Sequence, residues 1–133
     1  MADMGKILYV DRDKDIRELV SEVTGKDFKF ELLGSENLEK AEDILKGEGI
    51  SGMIIDEQIS KQKELLDFIE KAKGRYPSLS IAVLFAAVDM VLESEFRDAL
   101  KKQGVRVVAK TEALRYEKIG ELLKWCVSQK MGG

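Results

Sequence analysis

Apolar residues are distributed along this chain in two alternating ways, as short unbroken runs and as stripes at helical spacing. Lys6-Ile7-Leu8-Tyr9-Val10 is a run that ends on Asp11. Ile16, Leu19, Val20 and Val23 then fall on one helical face, with Gly25 as a stop. Phe28, Phe30 and Leu32 alternate with Lys29 and Glu31, the period of a strand with one wet face. Ser35 and Asn37 are both capable caps for a second helix that buries Leu38, Ala41, Ile44 and Leu45 and ends at Gly47. Gly52-Met53-Ile54-Ile55-Asp56 is wholly apolar until it stops on a carboxylate. Such a run suits a strand buried on both faces of a parallel sheet.

The alternation continues to the last helix. Leu65, Leu66, Ile69 and Ala72 form a third stripe, closed by Gly74 and Pro77. Residues Ile81 to Ala87 predict a fourth strand, and Leu92, Phe96, Ala99 and Leu100 a fourth helix with Gly104 at its end. Val105 to Ala109 predicts a fifth strand, finishing at Lys110. Thr111 is placed to cap a last helix that buries Ile119, Leu122, Leu123, Cys126 and Val127.

Five strands alternating with five helices predict an α/β fold, a doubly wound parallel sheet covered on both faces by right-handed crossovers. The order 2-1-3-4-5 suits five strands and puts the half-wet second strand at an edge. In that order the first and third strands flank the topological switch point, where such sheets place their sites. Asp11 and Asp56 then face each other across the crevice, and Lys110 reaches in from the end of the fifth strand. Charged residues also end strands simply because loops are wet, so the three charges mark a candidate site without fixing its chemistry.

Composition narrows the function classes. The 133 residues suit one domain with one real core, spanning residues 1–133 and free to be part of a longer protein. Lys+Arg number 22 against 25 Asp+Glu, so a net charge of -3 offers no basic field for nucleic acid. The absence of histidine removes the commonest general base and transition-metal ligand. Cys126 is the only cysteine and lies on an apolar stripe, which predicts a buried thiol in a reducing compartment. With neither a leader nor a membrane-length apolar run, a cytoplasmic protein without membrane attachment is expected.

Three segments together resemble the signature of response-regulator receiver domains, the CheY-like fold of two-component signalling. They are Ile7-Leu8-Tyr9-Val10-Asp11, Met53-Ile54-Ile55-Asp56 and Val107-Val108-Ala109-Lys110, in order and at the right spacing. The resemblance runs from Lys6 to the end of the last helix. It implies that Asp56 stands at the position that accepts a phosphoryl group from a histidine kinase and that Lys110 pairs with that group. It also implies that Asp11 is the first of two acids that, with Asp56, organise Mg²⁺, the cofactor of typical receivers.

Departures from the family pattern argue against a working metal site. Arg12 stands where the second acid is usual, removing a carboxylate ligand and adding a positive charge. At an effective dielectric of about 20, like unit charges roughly 4 Å apart cost about 4 kcal/mol, and a divalent ion feels about twice that. Arg12 can pair with Asp11 or Asp56 through its planar fork, or swing out to solvent. Asp13 could supply the missing acid, but its place at a helix start suits a cap better. Phe85 replaces the family's Thr or Ser, and Val107 replaces the Tyr or Phe that moves with it, so both switch positions are substituted. Phe85 can equally be read as ordinary core filling.

The leading reading is an atypical receiver-like domain in phosphorelay signalling, not itself an enzyme, that works through protein contact with weak or absent phosphorylation. A functional phospho-acceptor at Asp56 is the alternative. A flavodoxin-like ligand binder is disfavoured, because the acids of Asp11-Arg12-Asp13-Lys14-Asp15 repel phosphate. Expected partners are proteins: a histidine kinase, an output domain or a second copy of the chain. Trp125 lies off the apolar stripe of the last helix and reads equally as an interface anchor or as a shield over neighbouring core.

Overall fold

In the computed structural model, which describes residues 5–27, 30–85, 94–114 and 116–131, the chain folds around one parallel sheet. Its strands are β1 (Lys6–Val10), β2 (Glu31–Ser35), β3 (Gly52–Asp56), β4 (Ser80–Phe85) and β5 (Arg106–Ala109). They lie in the order β2-β1-β3-β4-β5, as the sequence predicts. The helices are α1 (Lys14–Asp27), α2 (Leu38–Gly47), α3 (Gln62–Arg75), α4 (Ser94–Lys102) and the last helix, Tyr116–Met131. A single helical turn, Lys110–Ala113, lies between β5 and that last helix, and a 3-10 turn, Glu57–Ile59, follows β3.

Although β1, β3 and β4 read as unbroken apolar runs, the pleat divides them between two core layers. Leu8, Val10, Met53, Ile55, Ile81, Val83 and Phe85 face one way, against Ala41 and Leu45 of α2, Leu65, Ile69 and Ala72 of α3, and Phe96 and Leu100 of α4. Ile7, Tyr9, Ile54, Ala82 and Leu84 face the other way, against Val20 of α1 and Ile119, Leu122, Leu123 and Cys126 of the last helix. A strand buried on both sides has no polar position to spare until it leaves the sheet, which is why the carboxylates appear only at strand ends.

Several boundaries differ from the expectations. Helix α1 runs through Gly25 to Asp27, and Leu19 is 54% exposed rather than part of its buried face. Thr24 takes the buried position instead, because its hydroxyl donates to the Val20 carbonyl at 2.7 Å and so leaves no unpaired polar group inside. Strand β2 is an edge as expected, but Leu32 and Leu33 pack toward opposite core layers, so neither face is uniformly wet. Thr111 sits inside the helical turn and does not cap the last helix, which begins at Tyr116. Asn37 caps α2, its side chain accepting from the Lys40 N–H at 2.8 Å. Phe28, Lys29, Ala86, Ala87 and Leu92 lie outside the described residues.

Glycine is required at Gly104 by backbone conformation and at Gly52 by close packing. Gly104 turns the chain from α4 into β5 at φ +78, a conformation that favours residues without Cβ. Gly52 opens β3 directly beneath the last helix, where a Cβ would stand 2.9 Å from Cys126 Sγ and 3.1 Å from its Cα. No helix among the described residues is long and apolar enough to cross a membrane.

Candidate functional site

Sheet register brings three charged side chains together. Tyr9 is level with Ile54, so Asp11 and Asp56, each two residues further on, emerge at the same level and on the same face. Leu84 is level with both Asp56 and Val108, and Lys110, two residues beyond Val108, leaves β5 toward that face as well. The ammonium of Lys110 lies 2.9 Å from Asp11 Oδ2 and 2.9 Å from Asp56 Oδ2. Asp11 is 1% exposed and Asp56 5%, so this bridge closes inside the protein.

The remaining oxygens of the acid pair also have donors. Asp11 Oδ1 accepts from the Asp13 N–H at 2.9 Å, and Asp56 Oδ1 from the Gln58 N–H at 3.3 Å. Tyr9, fully buried, donates its hydroxyl to Asp11 Oδ2 at 2.8 Å. All four carboxylate oxygens are therefore engaged by the protein itself. The sequence reading overlooked Tyr9, although the signal was present: a phenol in an aliphatic strand needs a partner, and the residue two further along one face is an acid.

Charge follows this geometry. Burial pushes the Asp11 carboxyl up, but hydrogen bonds from the Asp13 N–H, Lys110 and Tyr9 together outweigh it and hold it below the ordinary value. For Lys110 burial works downward, and the bonds to Asp11 and Asp56 outweigh it, so the ammonium is held charged above its ordinary range. Burial and the charge of Asp11 push the Tyr9 phenol upward, which keeps it a donor.

Arg12 is exposed and, among the described residues, pairs with neither Asp11 nor Asp56. The cation lying between the acids is Lys110, not the Arg12 guanidinium. Asp13 does not supply a third acid to the centre, since its Oδ1 caps α1 through the N–H groups of Asp15, at 2.9 Å, and Ile16, at 3.3 Å. Among the described residues no group of three or more acids, histidines or cysteines could hold a metal. As arranged, the residues do not fit Mg²⁺: two carboxylates converge, but on an ammonium, and among the described residues no third acid joins them.

Phe85 is buried in the α2–α4 core layer, its ring 5.8 Å from that of Phe96 and edge-on at 70°. Val107 packs half-buried against the same layer, level with Val83. Trp125 is half-buried, with the Arg106 guanidinium 5.4 Å from its ring centroid.

No protein-family model and no curated protein matches the sequence. Solved structures do match. The response regulator receiver domain protein (CheY-like) from Methanospirillum hungatei superposes with a TM-score of 0.81, covering 98% of this chain and 100% of its own at 16% identity. A response regulator from Thermotoga maritima gives 0.77, with 95% and 99% covered at 23% identity. The beryllofluoride-activated NtrC4 receiver domain dimer gives 0.76, with 95% and 98% covered at 17% identity. This is the receiver-domain fold. At that level of identity the match establishes architecture, so what the receiver fold does in this chain rests on the site residues themselves.

Proposed function

We propose that this chain is an atypical receiver domain of two-component signalling that acts by binding a protein partner, with phosphorylation at Asp56 weak or absent. It reads as a single, non-enzymatic, cytoplasmic domain that binds neither nucleic acid nor membrane. One observation carries the proposal: Lys110 bridges Asp11 and Asp56, each of their four oxygens accepts at least one bond from the protein, and Arg12 stands outside where a third ligand would be needed. Phosphoryl transfer to a carboxylate depends on positioning and on neutralising charge at the transferring group. Here the acceptor oxygens are held by hydrogen bonds, and a single ammonium carries all the neutralisation. The core position of Phe85 and the stiff side chain of Val107 support loss of the coupled switch as well.

The partner contact we propose is at Trp125. Its half-exposed ring and the exposed Arg106 guanidinium over it form an aromatic and cationic pair of the kind that anchors interfaces. Two measurements test the reading. Incubation with acetyl phosphate or beryllofluoride and Mg²⁺ should leave the intact mass and the fluorine spectrum essentially unchanged, whereas stoichiometric modification lost in Asp56→Asn refutes it. Trp125→Ala should abolish partner capture, and Asp56→Asn should not.

The alternative, a working phospho-acceptor, draws support from the placement of Lys110 Nζ 2.9 Å from Asp56 Oδ2, where it could pair with an added phosphoryl group. The same phosphodonor experiment decides between them.

A further inference from the structure

A groove lies away from the acid pair, between α2 and α3, with a volume of about 460 Å³. Leu45 and Ala72 line its buried floor, and the half-buried rings of Phe68 and Tyr76 line its sides. Along its rim α3 presents Glu64, Asp67, Lys71 and Arg75, all exposed. With Phe68 these residues are spaced as one helix face. None of the four charges forms an ion pair among the described residues, whereas Glu42, on the opposite rim, is engaged with Lys46 at 3.8 Å.

The order of the charges identifies an occupant. Acids occupy the first half of the stripe and bases the second. Glu64 and Arg75 are separated by about 16 Å along the axis and Asp67 and Lys71 by about 6 Å at 1.5 Å per residue. Both pairs are centred, to within a fraction of a residue, on the level of Ile69. A two-fold axis through that level would set α3 antiparallel to a second α3. Glu64 would then meet Arg75, and Asp67 would meet Lys71, of the other copy, twice over, with the two Phe68 rings near the axis. The acid-then-base order also suits the helix dipole. The dipole does not, however, call for a common centre, nor for unpaired charges gathered on the rim of an aromatic groove. A space of this size is too small for a helix some 10 Å across, but it has room for aromatic side chains from the facing copy.

We infer that the α2–α3 face is a self-complementary docking surface for a second copy of this chain, forming a two-fold dimer through antiparallel α3 helices. Isologous contact of this kind is the commonest route to a closed pair. The surface is separate from Trp125 and from the acid pair, so the dimer leaves both free and does not depend on whether Asp56 is phosphorylated. Exposed ion pairs are individually weak and screened by salt, so the dimer is concentration-dependent and loosens as salt rises.

Charge reversal tests the pairing. Glu64→Lys with Asp67→Lys makes the stripe wholly positive, and Lys71→Glu with Arg75→Glu makes it wholly negative. By sedimentation equilibrium over a concentration series, the full-length wild type should dimerise, and each double variant should associate about tenfold more weakly or worse. An equimolar mixture of the two variants should restore a particle of dimer mass, since all four contacts are then attractive. Far-UV circular dichroism checks that both variants are folded. A wild type that stays monomeric throughout overturns the inference, whatever the mixture does. So does a variant that dimerises as the wild type does, or a mixture that stays monomeric.

Discussion

Replacing Lys110 with Met tests the geometry of the acid pair most directly. Met keeps most of the aliphatic stem and removes the charge that lies 2.9 Å from each of two buried carboxylates. Because both oxygens touch one nitrogen, they can be no further apart than twice that distance. Two unit charges roughly 5 Å apart at an effective dielectric of about 20 repel by about 3 kcal/mol. Removing one partner from a buried ion pair costs about 3–5 kcal/mol in comparable cases, and the two estimates agree. The sign of the pH dependence follows. In the variant one carboxyl acquires a folded-state pKa above its ordinary value, so protonation stabilises it and the deficit shrinks as pH falls. Urea unfolding followed by Trp125 fluorescence should show a loss of about 3 kcal/mol at about pH 7.5, falling to about 1 kcal/mol near pH 5. Adding Asp11→Asn to Lys110→Met should recover most of the loss, because the two sites share one interaction. A deficit under about 1 kcal/mol, or one equal at both pH values, would show that the two acids do not face each other uncompensated.

Further outcomes follow from the acid pair and from the packing around it. Asp11 is held below its ordinary value of 3.8, so its contribution is fully present above that pH and is lost as pH falls through the lower folded value; Asp11→Asn should flatten the melting temperature profile in this acid range. Arg12→Asp, at an exposed position, should change stability by no more than about 0.5 kcal/mol without metal. The same substitution should add a rise in melting temperature with Mg²⁺ that the wild type lacks, and a titration without that rise would count against Arg12 as the missing ligand position. Gly52→Ala drives a Cβ against Cys126, so the urea midpoint should drop by the equivalent of about 1–3 kcal/mol. Burial pushes the Cys126 thiol up to about 12, so an aromatic disulfide should label it at neutral pH only as fast as the protein opens.

Hydrophobic periodicity was enough to read strand order, because fully buried parallel strands must be continuous apolar runs and each run is followed by a helical stripe. It could not decide which residues of a marginal stripe are buried. Leu19 fits the spacing of α1 but is exposed, while Thr24 is buried because a hydroxyl can satisfy itself on the helix backbone. Asp11, Asp56 and Lys110 were legible as strand ends. The direction of Arg12 was not, since an arginine beside an acid pair is as consistent with pairing as with solvation. Tyr9 escaped notice because a tyrosine in an apolar run reads as core, although its partner Asp11 lies only two residues further along the same face. The pairing order of charges on α3 was invisible for a different reason: charge on a wet helix face has no meaning until a groove beside it is known.

The acid pair and its lysine invite a phosphoryl-transfer reading, but their presence together is no evidence of that chemistry. Once two carboxylates are buried at the ends of β1 and β3, each becomes a liability without a compensating cation, and Lys110 of the neighbouring helical turn supplies one. Loss of Lys110 leaves two buried carboxylates unpaired, at a cost comparable with a large part of a small domain's total stability. A triad assembled for catalysis and then relieved of its metal would therefore remain in place as a structural tie between β1, β3 and the end of β5. Separating the two roles requires a substitution that keeps the tie and removes the chemistry. Asp56→Asn retains one oxygen for Lys110, gives up the weaker 3.3 Å bond from the Gln58 N–H, and cannot be phosphorylated at a carboxylate. If partner capture at the proposed Trp125 contact survives that change while Lys110→Met destabilises the domain in proportion to the predicted repulsion, the triad serves the fold. If capture fails while stability holds, it serves the phosphate.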